Sequence, residues 1–482
     1  MFEKIYKILY MDIFNIISIN IVFLPLIFGL FLLFCRIRLV LVNKKLLDYG
    51  LFVINLLNFV LCSILAIFVY FKKLTLDFGY KISDFLNIEL IYGINVDKRN
   101  IFILFFAALF YFLISCYLVR FFKTKKQFLF TKQRYYILLS FLIFVTYSFI
   151  CSNNLLLSMI FGAVGTFILF VFAYFDIFKT GANYNIIRFL RLNFISDFCF
   201  FAAFLVFFRY AVFLKNSIQT TAINYSDLNL FLLNLMPKTN SPFEYKIAII
   251  SILIAVFTRL SIFPFNCYYS FLANSSRAFY LPVIICANNF IGVMLYLNII
   301  QVFNFFPKIN FAIYVFAILS VLYSAISLLF EKNIKIVFGY LISILNSLFI
   351  VGILFFEKTI YVYFCCLSIL LVILFKLFSM DKVNFKRRLI NKNKGFYLEK
   401  LHIIFFETFP IKIANLFLFL NKNVLGLIFK MLYKILNLLV GILAIRHIKA
   451  SRFNIIRNIF LVFALFIILT IIIILFGGAD FG

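Results

Sequence analysis

Apolar stretches of roughly twenty residues follow one another along this chain with only short polar intervals between them, and a helix of about that length crosses the hydrocarbon core of a bilayer at 1.5 Å per residue. No other feature constrains the fold as strongly. The stretches fall at approximately 14–35, 50–71, 101–122, 135–151, 154–176, 190–214, 246–268, 279–300, 309–330, 334–355, 359–380, 401–420, 424–445 and 455–477. They lead us to expect an all-α, polytopic membrane protein with about 14 transmembrane helices. The stretch at 424–445 stands apart, because Lys430, Lys434, Asn437 and Gly441 recur at helical spacing and mark a polar stripe. It either spans or lies along the membrane.

Of the 482 residues, 66% are hydrophobic and 13% charged, where soluble domains have roughly 45–50% and 25%. A water-soluble shape of this length has too little interior for so many apolar side chains. The longest polar connectors, 72–100, 215–245 and 381–400, leave room for short interfacial helices at most, so catalysis on a soluble substrate has little space. The net charge of +29 comes from 46 Lys+Arg against 17 Asp+Glu. On a soluble chain such a balance points to nucleic acid. Here the basic residues sit mainly between the apolar runs, where they are expected to meet membrane lipids, cardiolipin among them, and acidic neighbours. If the spans alternate, the intervals after odd-numbered spans hold about 23 basic residues against about 10 elsewhere, which puts the N-terminus on the outer side. Phe at 74 with Gly at 16 and Trp at 0 matches translation of a very A/T-rich genome such as an organellar one.

The nine cysteines show no CxxC spacing and lie in or beside apolar runs, so neither a disulfide framework nor iron–sulfur ligation is expected. With His402 and His447 the only histidines, a His-rich metal or haem site is not expected either. There is no Gly-rich nucleotide fingerprint. Glu3 and Asp12 near the start, with no cleavage-site pattern, lead us to expect no signal or transit peptide.

Ionisable residues at membrane depth are costly unless paired or hydrated, so each is a functional hypothesis. In TRLSIFPFNCYYSF, Arg259 is expected mid-helix with Pro264 five residues on, and a proline inside a helix removes a hydrogen bond and breaks it. Asn266 is then placed to satisfy the freed backbone groups. A broken helix beside a buried cation is how transporters build ion sites; the plainer reading is a kink with an arginine reaching to the interface. Asp197, in NFISDFCFF, is a lone carboxylate in an apolar run, and Arg259 is its expected partner. Asn288 and Asn289, in LPVIICANNFIGVMLYL, hydrogen-bond without carrying protons, and they either line a water path or tie helices together.

Several runs, in order from about 90 to 400, resemble the antiporter-like membrane subunits of respiratory complex I, most of all the NADH dehydrogenase subunit 5 type. INVDKRNIFILFFAALFYFLISCYLVRFF resembles the third helix of that type. SNNLLLSMIFGAVG resembles its SNN…WEGVG stretch, and GANYNIIRFLRLNFISD its AN…NRIGD motif. RLSIFPFNCYY resembles a K-x-x-x-x-PFH-x-W helix, EKNIKIVFGYLISILNS a QxDIKKIVAYSTxSQ helix, and GFYLEK the GFYSKD run. The length fits the subunit 2 and 4 types better.

The resemblance implies N-terminal helices over 1–134, two inverted five-helix repeats with broken helices over 135–300 and 301–420, and a short lateral or spanning helix plus anchor over 421–482. It implies a membrane-arm subunit contributing to electron-transport-coupled proton translocation in NADH:ubiquinone oxidoreductase of the mitochondrial inner membrane. Other membrane-arm subunits are then its partners, and NADH, FMN, iron–sulfur clusters and ubiquinone belong to other chains.

The departures from the family pattern are specific. The family's helix-five glutamate falls on Gly162, or on Ala163 with the gap placed differently. Its helix-seven lysine falls on Arg259, the PFH histidine on Asn266, and the helix-eight ionisable residue on Asn289 or a neighbour. Lys335, in NIKIV, matches a family lysine but is expected near a helix end. Glu399 and Lys400 stand where the family has lysine then aspartate, in reversed order, and the plainer reading there is a solvated helix start. Proton relays need groups that titrate within reach of neutral pH. Arginine does not deprotonate in proteins and glycine has nothing to titrate, so the first half-channel is expected to be chemically disabled. Three readings remain: a participant in pumping, a structural subunit of the same assembly, and an unrelated secondary transporter with broken helices.

Overall fold

The computed structural model describes residues 2–37, 44–72, 76–85, 88–96, 98–124, 129–152, 154–174, 182–214, 225, 243–266, 268–270, 281–304, 307–331, 334–355, 360 and 362–368. All of these lie within one compact unit, Met1–Arg388. Almost all of them are helical. Among the described residues the helices are α1 Phe2–Ile37, α2 Lys44–Lys72, α3 Lys98–Thr124, α4 Leu129–Cys151, α5 Leu155–Tyr174, α6 Ala182–Leu214, α7 Phe243–Leu260, α8 Leu281–Asn304, α9 Pro307–Phe330 and α10 Ile334–Phe355. They coincide with the first ten apolar stretches read from sequence. Residues 362–368 are helical within the next stretch, 359–380, and the stretches at 401–420, 424–445 and 455–477 lie outside the described residues.

Nine of these helices are long and apolar enough to cross a membrane. The tenth, α7, carries Glu244, Lys246 and Arg259 within its 18 residues. In the segment Pro282–Ile300 of α8, 89% of residues are buried, against 28% in Lys308–Leu328 of α9 and 33% in Ile16–Arg36 of α1. The contrast makes α8 the centre of the bundle, with α3, α4, α5, α7 and α9 packed on it. Around it, α1 packs on α4, α2 on α3, and α6 on both α5 and α7. The outer helices turn large apolar side chains outward, such as Phe311 and Leu322 on α9 and Phe194 and Phe198 on α6. In water such a surface would associate; facing lipid tails it is the expected solvent contact.

The all-α expectation needs one correction. The connector 72–100, read as room for short interfacial helices, forms an antiparallel hairpin of β1 Leu76–Phe85 and β2 Ile88–Val96. Its register pairs Leu76 with Val96, Phe78 with Ile94 and Tyr80 with Tyr92, with an irregularity between Lys81 and Ser83. The physical reason is visible in the sequence. Apolar residues alternate with polar or small ones through LDFGYKI and, apart from Ile91, again through IELIYGINV, a period of two that leaves no apolar run of membrane-spanning length.

Two glycines set helix spacing. A Cβ on Gly292 of α8 would lie 2.8 Å from Leu260 Cδ2 and 3.2 Å from Arg259 Cβ. A Cβ on Gly339 of α10 would lie 2.9 Å from the backbone at Tyr269 and Ser270, so it has no side-chain rotation to escape through. Small residues at such crossings let helices in lipid approach closely. Gly339→Ala is therefore expected to cost about 1–3 kcal/mol and to lower the melting temperature of the purified protein in detergent. Gly162→Ala, whose nearest neighbours would be 3.5 and 3.6 Å away, is expected to leave it nearly unchanged.

Candidate functional site

The site is built where α7 stops inside the bundle. Sequence reasoning expects the break at Pro264, with Arg259 mid-helix; the structure places the break earlier. Helix α7 ends at Leu260, with Arg259 in its last turn, and Ser261 has a φ of 58°. The Ile262 N–H donates to the Phe257 carbonyl at 2.9 Å and the Ser261 N–H to the Thr258 carbonyl at 3.3 Å. This pair of bonds around a left-handed residue is the Schellman C-cap, here with serine where glycine is usual. Pro264 follows in a chain already turned, after a cis peptide bond from Phe263.

Carbonyls freed at a helix end need partners, and side chains from other elements supply them. The Arg259 carbonyl accepts from Asn288 Nδ2 of α8 at 2.9 Å and lies 2.9 Å from the Tyr269 hydroxyl. The Leu260 carbonyl accepts from Asn346 Nδ2 of α10 at 2.7 Å. Asn266, expected to serve the freed backbone, instead turns its Nδ2 towards α9, within 3.0 Å of the Ser320 carbonyl, 2.8 Å of Ser320 Oγ and 3.0 Å of Ser324 Oγ. Its own carbonyl accepts from Ser261 Oγ at 2.9 Å.

Arg259 is 2% exposed, and its guanidinium forms an ion pair with Asp197 of α6. The same Nη2 donates to Thr166 Oγ1 of α5 at 3.2 Å and to the Gly162 carbonyl at 3.4 Å, and Nη1 donates to Asn288 Oδ1 at 3.4 Å. Four helices, α5, α6, α7 and α8, thus meet at one cation. Its position at the carbonyl end of α7 also sets positive charge against the negative end of the helix dipole. Asp197 is 15% exposed, so one partner of the pair is sealed and the other reaches the outer face of α6.

Of the two positions onto which the family's glutamate falls, Gly162 is buried against Arg259 and Ala163 is exposed. Beside the guanidinium, α5 offers a carbonyl and a hydroxyl, and the carboxylate comes from α6. Asn289 Oδ1 lies 2.5 Å from the Tyr269 hydroxyl and accepts from Asn346 Nδ2 at 3.0 Å, and Tyr363 donates to Asn346 Oδ1 at 2.7 Å. A buried chain of neutral groups therefore runs from Arg259 to Tyr363. Lys335 is the second residue of α10. Glu399 and Lys400 lie outside the described residues.

Thr166, Tyr269, Asn346 and Tyr363 were not singled out from sequence, nor were Ser320 and Ser324. A signal for some of them is there. Ser320, Ser324 and Ser327 recur one turn apart on α9, and Ser343, Asn346 and Ser347 share a face of α10, each set buried in an otherwise apolar helix.

With this geometry in view, the chain can be set beside known proteins. It shares its fold with a chain of respiratory complex I. The match is to respiratory complex I from Thermus thermophilus with bound NADH, at a TM-score of 0.53 and 14% identity, covering 70% of this chain and 64% of that one. A second match is to the membrane-bound sulfane sulfur reductase, an archaeal respiratory membrane complex, at 0.52 and 15%, covering 69% of this chain and 63% of that one. The chain thus spans a little under two thirds of each of those chains. No protein-family model and no curated protein sequence matches it.

The ion pair makes an asymmetric prediction. Asp197→Asn strands a sealed guanidinium that cannot lose its proton, and breaking a buried pair in this way costs on the order of 3–5 kcal/mol. Arg259→Met strands a carboxylate that is partly exposed rather than sealed, so its cost is expected to be smaller. The double variant is expected to be more stable than Asp197→Asn alone. Thermal unfolding of the three purified variants measures this, and equal losses from the two single changes would contradict it.

Proposed function

We propose that this chain is an antiporter-like membrane-arm subunit of a complex I-type NADH:ubiquinone oxidoreductase, contributing to electron-transport-coupled proton translocation without redox chemistry of its own. The observation that carries the reading is the fold it shares with a chain of respiratory complex I. The order of the family-like runs from about residue 90 to 400 and the buried Arg259–Asp197 pair support it.

In this reading the chain is of the subunit 5 type, with about 14 spans and two inverted repeats over 135–300 and 301–420. It sits in the mitochondrial inner membrane with its N-terminus towards the intermembrane space, among other membrane-arm subunits. The A/T-rich composition supports the organellar origin and the distribution of basic residues the orientation. NADH, FMN, iron–sulfur clusters and ubiquinone are held by other subunits.

A second reading, a purely structural subunit of the same assembly, is favoured by one feature. The guanidinium of Arg259 is a fixed charge, and Gly162 stands where the family has a carboxylic acid. The first half of the chain then holds its helices together electrostatically while protons pass elsewhere.

Affinity purification through a tag on this chain is expected to bring down a multi-subunit assembly that oxidises NADH with ubiquinone. In that assembly, reconstituted into vesicles, Asp197→Asn is expected to lower the protons moved per electron. An unchanged ratio and rate would favour the structural reading, and a lone chain that transports ions by itself would overturn both.

A further inference from the structure

The packing of α1 on α4 brings two arginines together at the edge of the membrane. Arg36 closes the apolar span Ile16–Arg36 and Arg134 follows Gln133 at the start of Gln133–Cys151. Gln133 Nε2 donates to the Leu32 carbonyl at 3.2 Å, which fixes the end of α1 against the beginning of α4. In that junction the Arg134 guanidinium bears on Arg36 as an unfavourable like charge. Arg36 Nη1 is buried and has no hydrogen-bond partner among the described residues. A cation at the end of α1 is favourable against the helix dipole, which accounts for one arginine and not for the second beside it.

Two guanidiniums that repel, one with an orphaned buried N–H, form a junction that lacks an anion. Among the described residues neither arginine is within ion-pair distance of a carboxylate. Residues 36–48 and 120–134, which hold the end of α1, the start of α2, the end of α3 and the start of α4, contain ten Lys or Arg against one acidic residue, Asp48. The depth is that of phospholipid headgroups, since both arginines stand where an apolar span meets its polar flank. Below Arg36, Phe31 and Phe34 are 48% and 53% exposed and offer an apolar bed for acyl chains. A free phosphate has no use for that bed.

We propose that Arg36 and Arg134 form a binding site for the phosphate of an anionic phospholipid. The phosphodiester oxygens accept from both planar guanidiniums, a geometry for which arginine is suited, and the bound anion converts their repulsion into a clamp between α1 and α4. This site is separate from the Arg259–Asp197 pair and does not depend on membership of any respiratory assembly.

The test uses the full chain in nanodiscs of phosphatidylcholine, with and without about 10 mol% phosphatidylglycerol. Phosphatidylglycerol is expected to raise the melting temperature of the wild type and not that of Arg36→Gln/Arg134→Gln. In pure phosphatidylcholine the order is expected to reverse, because the double variant has lost the repulsion. Labelled phosphatidylglycerol is expected to be retained about thirtyfold less well by the double variant, from two basic residues near the surface. Inorganic phosphate is expected not to displace it. Should the glutamine variant fail to fold, Arg36→Lys/Arg134→Lys keeps the charge and loses the fork, and it is expected to retain the lipid less well than wild type. Displacement by inorganic phosphate would make this a free-anion site, and equal retention by wild type and the arginine variants would leave no site at all. Either result overturns the proposal.

Discussion

A helix that stops inside a membrane leaves carbonyl groups with no water to turn to, and the centre of this protein is organised around that constraint. Each unsatisfied backbone group in hydrocarbon costs several kcal/mol. The end of α7 meets the cost locally through the two backbone bonds around Ser261, and from outside through Asn288, Tyr269 and Asn346. Those three residues come from α8, from the segment after the break, and from α10. The need to cap one helix therefore fixes where two others stand. The close passage at Gly339 belongs to the same arrangement, since it lets α10 come near enough for Asn346 to reach the Leu260 carbonyl.

The charge follows from the cap. An arginine in the last turn of α7 is favoured by the helix dipole, but 2% exposure removes the water that would normally hold it. A sealed guanidinium stays charged, so it demands a carboxylate within the fold, and α6 supplies Asp197. Thr166 and the Gly162 carbonyl add weaker contacts from α5. Helices α5 to α8 are thus tied by electrostatics as well as by shape. This matters in lipid, where apolar helices gain little from each other by the hydrophobic effect.

The helices were largely legible in the sequence because each apolar run is long enough to admit one reading, as with the stretch at 135–151 that became Leu129–Cys151. The hairpin at 76–96 was not, because its signal has period two and leaves no long apolar run. Proline is the obvious helix breaker, and so the sequence points to Pro264, whereas the chain turns at Ser261. A serine at a left-handed C-cap carries no sequence signature, since glycine is the usual residue there. Asp197 and Arg259 stood out because each is expensive at membrane depth. Asn346 and Tyr363 did not, because neutral polar residues in apolar helices are common and acquire meaning only when a partner lies opposite.

The position of Gly162 bears on what a scaffold of this kind requires. A carboxylate on α5 would sit on the same side of the guanidinium as Thr166, and Asp197 reaches it from the next helix. The cation needs one counter-charge for stability; it does not matter to the electrostatics which of the two neighbouring helices provides it. What changes is titration. A lysine and a glutamate can exchange a proton when burial moves both towards neutral pH, whereas an arginine holds its own. At the end of α7 the guanidinium can therefore tie four helices together without passing a proton of its own.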